Sequence, residues 1–277
     1  MSKESSIIEN SRRFAGIVEY DGTSYKGFQR QTEFLTIQGE IERCFENLIG
    51  SPVQITSAGR TDAGVHASGQ VIAFSLDVDY SLEVIKRALN SRLPRDIKIQ
   101  SLRETNNNFD PRRDAIKRSY RYIISNGLSE SVFDNRFSYY VNAPINIQKM
   151  SDAMNLFIGE HDFRNFAGSG VDKSMNTVRN IINADVVQRE NKVELYFEAN
   201  AFFRHQVRNM AGLVLRVGLS YSNLDEVNRF INIPLGSIRP PMLPAKGLYL
   251  EKVTYPESLF LDNKLFKRQD VLASLKS

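Results

Sequence analysis

The chain contains no tryptophan, one cysteine and three histidines among its 277 residues. The single cysteine, Cys44, cannot form an internal disulfide, which is typical of proteins from a reducing compartment. His66, His161 and His205 are too far apart in the sequence for the ligand spacings of a zinc site, so we expect no metal. No run of about 18 or more apolar residues is present, so the sequence predicts no membrane span and a cytoplasmic location.

Cofactor-binding motifs are missing as well. Neither the GxxxxGK[ST] pattern that cradles phosphates nor the GxGxxG pattern of dinucleotide-binding folds occurs. Classical triad chemistry has no support beyond isolated serines. These absences leave either an enzyme that acts with a carboxylate, arginines and an aromatic ring, or a protein without catalytic activity.

The composition is that of a globular protein. Hydrophobic residues make up 42% and charged residues 25%, which suffices for a real core in one large domain or two ordinary ones. The formal net charge of +4 is mildly basic and suits a polyanionic partner.

Periodicity predicts the same order of elements in both halves of the chain. The first half reads as strand, helix, strand, strand, helix, strand, which is the split βαβ arrangement of ferredoxin-like domains. These predicted elements are strands at 14–21, 53–58, 70–75 and 97–102, a helix capped by Thr36 and stopped by Gly50, and a helix at 81–91. The second half shows strands at 117–125, 181–188, 192–199 and 248–255 and helices at 150–157 and 207–217.

The boundary between the halves is predicted near residues 109–111. The predicted organisation is a polar tail at 1–13, an N-terminal half at 14–110, a C-terminal half at 111–256 and a C-terminal tail at 257–277. No low-complexity linker separates the halves, so we expect them to pack closely.

The stretch SAGRTDAGVHASGQ (57–70) holds one carboxylate, Asp62, among small residues and two positions after Arg60. Loops held by a rigid sheet often carry catalytic groups. An arginine beside a carboxylate keeps it ionised, as a nucleophile or base requires. The alternative is an aspartate that caps a turn, which composition alone favours.

Basic residues cluster in two further segments. Five of them lie near Tyr120 and Tyr122, and the group indicates either a surface for a polyanionic partner or a solvated charged strand: Arg112, Arg113, Lys117, Arg118 and Arg121. In the segment 202–218, three arginines fall on one helix flank beside Gly212: Arg204, Arg208 and Arg216. A glycine gap of this kind admits a phosphate or a partner carboxylate, whereas the alternative is a surface helix with a basic edge. His205 is expected to be a packed or hydrogen-bonded histidine.

Together these motifs resemble the TruA-type tRNA pseudouridine synthases over residues 14–255. The most specific element is GRTDAGVHA (59–67). The others, in order, are YDGTSYKGFQRQ (20–31), TIQGEIE (36–42), LNSRLP (89–94), FDPRRDAIKRSYRY (109–122), GEHDFRNF (159–166), RHQVRNMAG (204–212) and PAKGLYLEKVTY (244–255). The chain departs from the family at Phe28, where tryptophan is usual, at 110–112, where histidine–alanine–arginine is frequent, and in its tail from Glu257.

The resemblance implies a role for each matching residue. Asp62 matches the catalytic aspartate, and Arg60 the arginine that occupies the space left by the flipped base. Tyr120 matches the tyrosine that stacks on the target uracil, and Arg208 the arginine that pairs with the aspartate. Arg112 and Arg113 are the predicted tRNA contacts beside the cleft.

The same resemblance implies an α+β fold, in which two ferredoxin-like halves share one mostly antiparallel sheet with helices on one face and a basic cleft between the halves. The implied substrate is uridine at positions 38 to 40 of the tRNA anticodon arm. The implied protein is a homodimer that needs no cofactor. Pseudouridine formation moves the ribose C1′ bond from N1 to C5 of the same base, so one carboxylate is enough. The sequence leaves open whether that carboxylate attacks the sugar or removes its 2′ proton.

Two other functions remain open at this stage. A nucleoside hydrolase or glycosylase usually needs two carboxylates, and Asp162 is a candidate for the second. An RNA-binding module without catalysis also fits ferredoxin-like halves with tyrosines on a strand, although the glycine–aromatic consensus of such modules is missing.

Overall fold

The computed structural model describes residues 11–168, 175–233 and 238–261. Most of both predicted tails lies outside the described residues. The strands are β1 (Arg12–Tyr20), β2 (Thr56–Ser57), β3 (His66–Leu76), β4 (Ile97–Thr105), β5 (Lys117–Ser125), β6 (Tyr139–Tyr140), β7 (Gly159–Asp162), β8 (Val178–Arg189), β9 (Lys192–Ala199) and β10 (Leu248–Thr254). The helices are α1 (Ile37–Ile49), α2 (Leu82–Asn90), α3 (Ile147–Asn155), α4 (Gln206–Gly218) and α5 (Leu224–Asn232).

All ten described strands belong to one sheet. Eight follow the order β4-β1-β3-β10-β5-β9-β8-β7, while β2 pairs with β3 and β6 with β5. The pairs β10–β3 and β5–β6 are parallel, and the other pairs are antiparallel. The prediction of a single, mostly antiparallel sheet is therefore confirmed.

Local signals set the ends of the first helix. The Thr36 hydroxyl accepts a hydrogen bond from the Gly39 N–H, which satisfies one of the free donors of the first turn. Gly50 ends the helix with a φ of 78°, a left-handed conformation that glycine adopts without strain. Both predicted caps are confirmed. The helix buries Ile41 and Phe45 against the sheet.

The buried side chains form two clusters that meet at one junction. The first is built around β1, β3 and α1, and the second around β9, α3 and α4. Val65, from the loop before β3, packs in the second cluster, whereas Leu250 of β10 packs in the first. At the junction β10 runs parallel to β3, with Tyr249 opposite His66 and Leu250 opposite Ala67. The loop that carries Asp62 therefore lies between the two cores.

Several elements differ from the sequence predictions. The strand predicted at 53–58 is only Thr56–Ser57, and β3 begins at His66 rather than at residue 70. The Ile55 N–H is bonded to the Glu42 carboxylate, at 3.2 Å, instead of to a neighbouring strand. The helix α5 and the short strands β6 and β7 were not predicted; β7 (GEHD) has none of the apolar alternation that indicates a strand.

Residues at the start of the predicted C-terminal tail pack on the N-terminal half. Phe260 is buried, its backbone bridges to Thr105, and its ring centroid lies 4.0 Å from the Arg103 guanidinium carbon. Glu257 forms a 2.9 Å ion pair with the buried Arg103.

Within the described part of the chain, no helix is long and apolar enough to cross a membrane.

Candidate active site

Asp62 lies in the loop at 58–65 between β2 and β3, here called the Asp62 loop. The turn before α1 holds this loop in place: the Phe28 N–H donates to the Thr61 carbonyl at 3.1 Å. Gly27, with a φ of 100°, approaches so closely that a Cβ there would lie 2.7 Å from the same carbonyl oxygen. The loop also closes on itself, because the Val65 N–H donates to the Asp62 carbonyl at 3.1 Å. The carboxylate therefore stands on a well-supported backbone.

Three groups that can carry positive charge surround the Asp62 carboxylate. Arg208 Nη1 lies 3.1 Å from Oδ2, and His205 Nε2 lies 3.5 Å from the same oxygen. Arg204 Nε lies 3.4 Å from Oδ1. Arg208 lies in the first turn of α4, and Arg204 and His205 lie directly before that helix, whose dipole also favours an anion at this end. Among the described residues, the ion pairs of Asp62 are thus made across the junction and not with Arg60, its neighbour in sequence.

Arg208 is held by two contacts and is not a surface residue. Its side chain is 12% exposed, and its Nε donates to the Leu243 carbonyl at 2.8 Å while Nη1 reaches Asp62. The alternative of a basic surface edge is therefore wrong for this arginine. Arg208 does meet a partner carboxylate, one of the two expected ligands, but not through the gap at Gly212. The Pro241 carbonyl fills that gap, since a Cβ on Gly212 would lie 1.7 Å from its oxygen.

Tyr120 lies on β5 and is half-buried between the two cores. Its ring packs edge-to-face against the ring of Phe202, with 5.3 Å between the two ring centroids. Burial raises the pKa of Tyr120 to about 12, and Asp62 acts in the same direction while Arg118 opposes it. The hydroxyl is therefore protonated at neutral pH, and the residue offers a ring face rather than a base.

Arg60 is exposed on the Asp62 loop, two residues before the carboxylate. Arg112 and Arg113 are exposed as well. Their backbone N–H groups both donate to Asp110 Oδ1, at 2.8 and 2.9 Å, which fixes the turn that presents them.

The rest of the predicted basic run is engaged inside the protein. Lys117 forms a 2.7 Å ion pair with Glu198, and Arg121 pairs with Glu194 and Glu251 at 3.1 and 2.8 Å. Arg118 donates to the carbonyls of Ala58, Arg112 and Asn200, at 3.1, 2.6 and 2.8 Å. This arginine thereby ties the Asp62 loop to the turn at Arg112 and to the chain before α4.

Sequence reasoning missed Phe202 as a residue of the site, and it expected His205 only to pack or to form a hydrogen bond. Phe202 supports the Tyr120 ring, and His205 faces Asp62. The signal available was their place in FFRHQVR, directly before the residue predicted to pair with the aspartate.

The second acid considered for a hydrolase is not part of this arrangement. Asp162 lies in β7, the last strand at the far edge of the sheet, and its ion-pair partner is Arg164 at 3.9 Å. Within the described residues, no three histidine, cysteine, aspartate or glutamate side chains are grouped so that they could hold a metal ion.

Comparison with known proteins identifies the family. A family model described as tRNA pseudouridine synthase matches residues 17–113 and 153–256. The tRNA pseudouridine synthase A of Pseudothermotoga lettingae is 38% identical over 245 residues, which cover 88% of this chain and 100% of that protein. The protein of the same name from Francisella tularensis subsp. mediasiatica is 34% identical and covers 88% and 94%. A solved archaeal box H/ACA sRNP Nop10–Cbf5 complex aligns at 11% identity and a TM-score of 0.35, over 73% of this chain and 44% of that chain. With its family model matched on both sides of the junction and its relatives aligned over most of their length, the chain belongs to the tRNA pseudouridine synthase family.

Proposed function

We propose that the protein isomerises uridine to pseudouridine at positions 38 to 40 of the tRNA anticodon arm, with Asp62 as the catalytic carboxylate. The observation that carries this proposal is the Asp62–Arg208 ion pair at the junction of the two cores, beside the ring of Tyr120. In a member of this family, that arrangement has the carboxylate, the counter-charge and the aromatic face that the reaction requires.

The target nucleotide must first leave the stacked stem, at a cost of a few kcal/mol. Arg60, exposed on the Asp62 loop, fills the space that the base leaves. The half-buried Tyr120 gives the extruded uracil an apolar face, which is worth about 1–3 kcal/mol per stacked base. Phe202 supports that ring from the side and keeps it in place.

In the chemical step, the bond from ribose C1′ to N1 breaks and a bond from C1′ to C5 forms. The carboxylate, which is paired with Arg208, either attacks the sugar or removes its 2′ proton. The only atom exchanged is a proton, which leaves C5 while N1 gains one. No redox cofactor is required by this balance.

We propose further that the chain consists of two ferredoxin-like halves, 14–110 and 111–256, with the helices on one face of the sheet and a basic cleft between them. Two observations support this division. The first half has the strand order β4-β1-β3-β2, with its fourth, first, third and second strands side by side. The second half has the same order, β10-β5-β9-β8, when its two short strands β6 and β7 are set aside. Each half also supplies most of the residues of one buried cluster. Arg112 and Arg113, at the boundary, are the proposed tRNA contacts at the edge of the cleft.

The proposed partners are tRNA and a second copy of the chain, and the proposed location is the cytoplasm. The homodimer is proposed from the family resemblance. Light scattering at micromolar concentration should give twice the mass of the chain; a monomer mass with full activity would contradict the dimer.

Product analysis separates this function from the two alternatives. Incubation with unmodified tRNA should give pseudouridine and no free uracil. A hydrolase would release uracil, and an RNA-binding module would leave the nucleosides unchanged.

A further inference from the structure

His205 has an unusual backbone conformation directly before α4. Its φ of 67° is left-handed, a region that few residues other than glycine adopt, although histidine, like asparagine and aspartate, is found there more often than most. It occupies the N-cap position of the helix, yet its side chain makes no capping hydrogen bond. The ring is instead turned towards Asp62, with Nε2 at 3.5 Å from Oδ2. Backbone strain of this kind persists where the surrounding structure holds it, and it concentrates at functional sites.

Gly168 packs against the face of His205 that is turned away from Asp62 and fixes its position. Its N–H donates to the Arg204 carbonyl at 2.8 Å, which fixes the backbone immediately before His205. A Cβ on Gly168 would lie 2.7 Å from His205 Nδ1, so only glycine leaves the ring in its present position. The ring is 21% exposed, and the Gly168 backbone behind it prevents it from moving away from Asp62.

The charged groups that face this ring leave it neutral near pH 7. Burial is the largest influence and lowers the pKa of His205 below its usual value. Asp62 opposes this effect, whereas Arg204 and Arg208 act with the burial. A neutral ring beside a carboxylate can take up a proton from it when the carboxylate has become protonated.

We infer that His205 is a positioning residue for Asp62 and receives, through that carboxylate, the proton that leaves uridine C5. This inference rests on the proposed function and adds a proton path to it. Once C1′ is bonded to C5, the C5–H bond breaks and its electron pair restores the ring double bond. The proton goes to Asp62 Oδ2 and from there to His205 Nε2, which releases it to the solvent. N1 takes a proton from water in exchange, so the overall reaction neither gains nor loses a proton. The carboxylate is then ionised again for the next turnover.

The test uses single-turnover pseudouridine formation between pH 5 and 8, in variants that preserve the backbone. His205→Asn suits the left-handed conformation, but its short side chain cannot reach Asp62. We expect the rate at pH 7.5 to fall at least tenfold, with tRNA affinity within threefold of wild type. The wild-type rate should also decrease on acidification as His205 becomes protonated, and this decrease should be lost in the variant. His161→Asn is the matched control, because His161 bonds the Ile158 carbonyl at 3.1 Å, away from the site; its rate and pH profile should equal those of wild type.

Gly168→Ala provides a second variant that keeps the histidine but displaces its ring. We expect a loss in rate at pH 7.5 comparable to that of His205→Asn, again with tRNA affinity retained. Wild-type rates and pH profiles in both variants would overturn the inference, as would loss of the acid decrease in His161→Asn. These outcomes are distinct from a failure of the proposed function, in which the wild-type protein would form no pseudouridine at all.

Discussion

Asp62 and Arg208 are 146 positions apart in the chain, yet Nη1 of the arginine lies 3.1 Å from Oδ2 of the aspartate. The aspartate belongs to a loop on the first core, and the arginine to a helix of the second. Their contact exists only when the two cores are packed against each other. The catalytic site that we propose is therefore a product of the junction and not of either half alone.

The guanidinium of Arg208 should be required for full activity, because it makes two contacts at once. Its Nε donates to the Leu243 carbonyl and its Nη1 donates to the Asp62 carboxylate. A lysine has one compact ammonium group and cannot make both contacts. We expect Arg208→Lys to lower the single-turnover rate roughly ten- to hundredfold, the value of one or two lost charged hydrogen bonds. Arg216→Lys, at the other end of α4, is the matched control and should keep the wild-type rate. Full activity in Arg208→Lys would show that the pairing has no catalytic role.

The ring of Tyr120 should matter more than its hydroxyl. Because burial raises its pKa to about 12, the hydroxyl does not act as a base near pH 7. Tyr120→Phe should stay within about fivefold of the wild-type rate, whereas Tyr120→Ala should lose the stacking energy and fall roughly ten- to hundredfold. Tyr80→Ala, at an exposed tyrosine, serves as the control. An equal loss in the phenylalanine and alanine variants would show that the hydroxyl is required.

Much of the fold follows from local sequence signals, whereas the site depends on long-range contacts. Thr36 and Gly50 end α1 through bonds to their own helix, so their positions could be read directly. The strand at 53–58 was predicted too long because the Glu42 side chain, from α1, takes the Ile55 N–H. The position of His205 in FFRHQVR indicates that it lies near Arg208. Its conformation depends on Gly168 and Asp62, which are distant in sequence, and is therefore not indicated by that segment.

Arg112 and Arg113 should contribute to tRNA affinity through phosphate contacts. Replacing both with serine keeps the Arg112 carbonyl that Arg118 uses and the backbone bonds to Asp110. We expect weaker binding, with a salt dependence that is shallower by about one unit for each lost contact. Filter binding across a salt series measures this.

The matched control for these arginines is Lys86→Ser with Arg87→Ser. It removes the same charge from α2, which packs on the edge strand β4. The control should bind tRNA nearly as wild type does. If the Arg112–Arg113 variant behaves like this control, the tRNA path lies elsewhere.

The buried His66 should make the fold sensitive to mild acid. Its Nδ1 accepts from the Gly22 N–H at 3.1 Å, its Nε2 lies 3.0 Å from the Arg136 carbonyl, and burial lowers its pKa. The unfolded chain therefore binds a proton more readily than the native state as the pH falls below about 6.5, so the free energy of unfolding should decrease. Urea unfolding between pH 7.5 and 5.5 checks this. The loss of unfolding free energy over this pH range should be smaller in His66→Gln than in wild type, and it should equal the wild-type loss in His161→Gln. A loss in His66→Gln as large as that of wild type would contradict a role for His66.

The most direct test of the central claim compares wild type with Asp62→Asn on tRNA tritiated at uridine C5. Asparagine has nearly the shape of aspartate but can neither attack C1′ nor take up a proton. We predict that wild type releases tritium and forms pseudouridine in the anticodon arm, while Asp62→Asn stays folded, binds tRNA with unchanged affinity and releases no label. Asp62→Ala should be inactive as well. Activity above a few percent of wild type in a folded Asp62→Asn variant would contradict the assignment of Asp62 as the catalytic carboxylate.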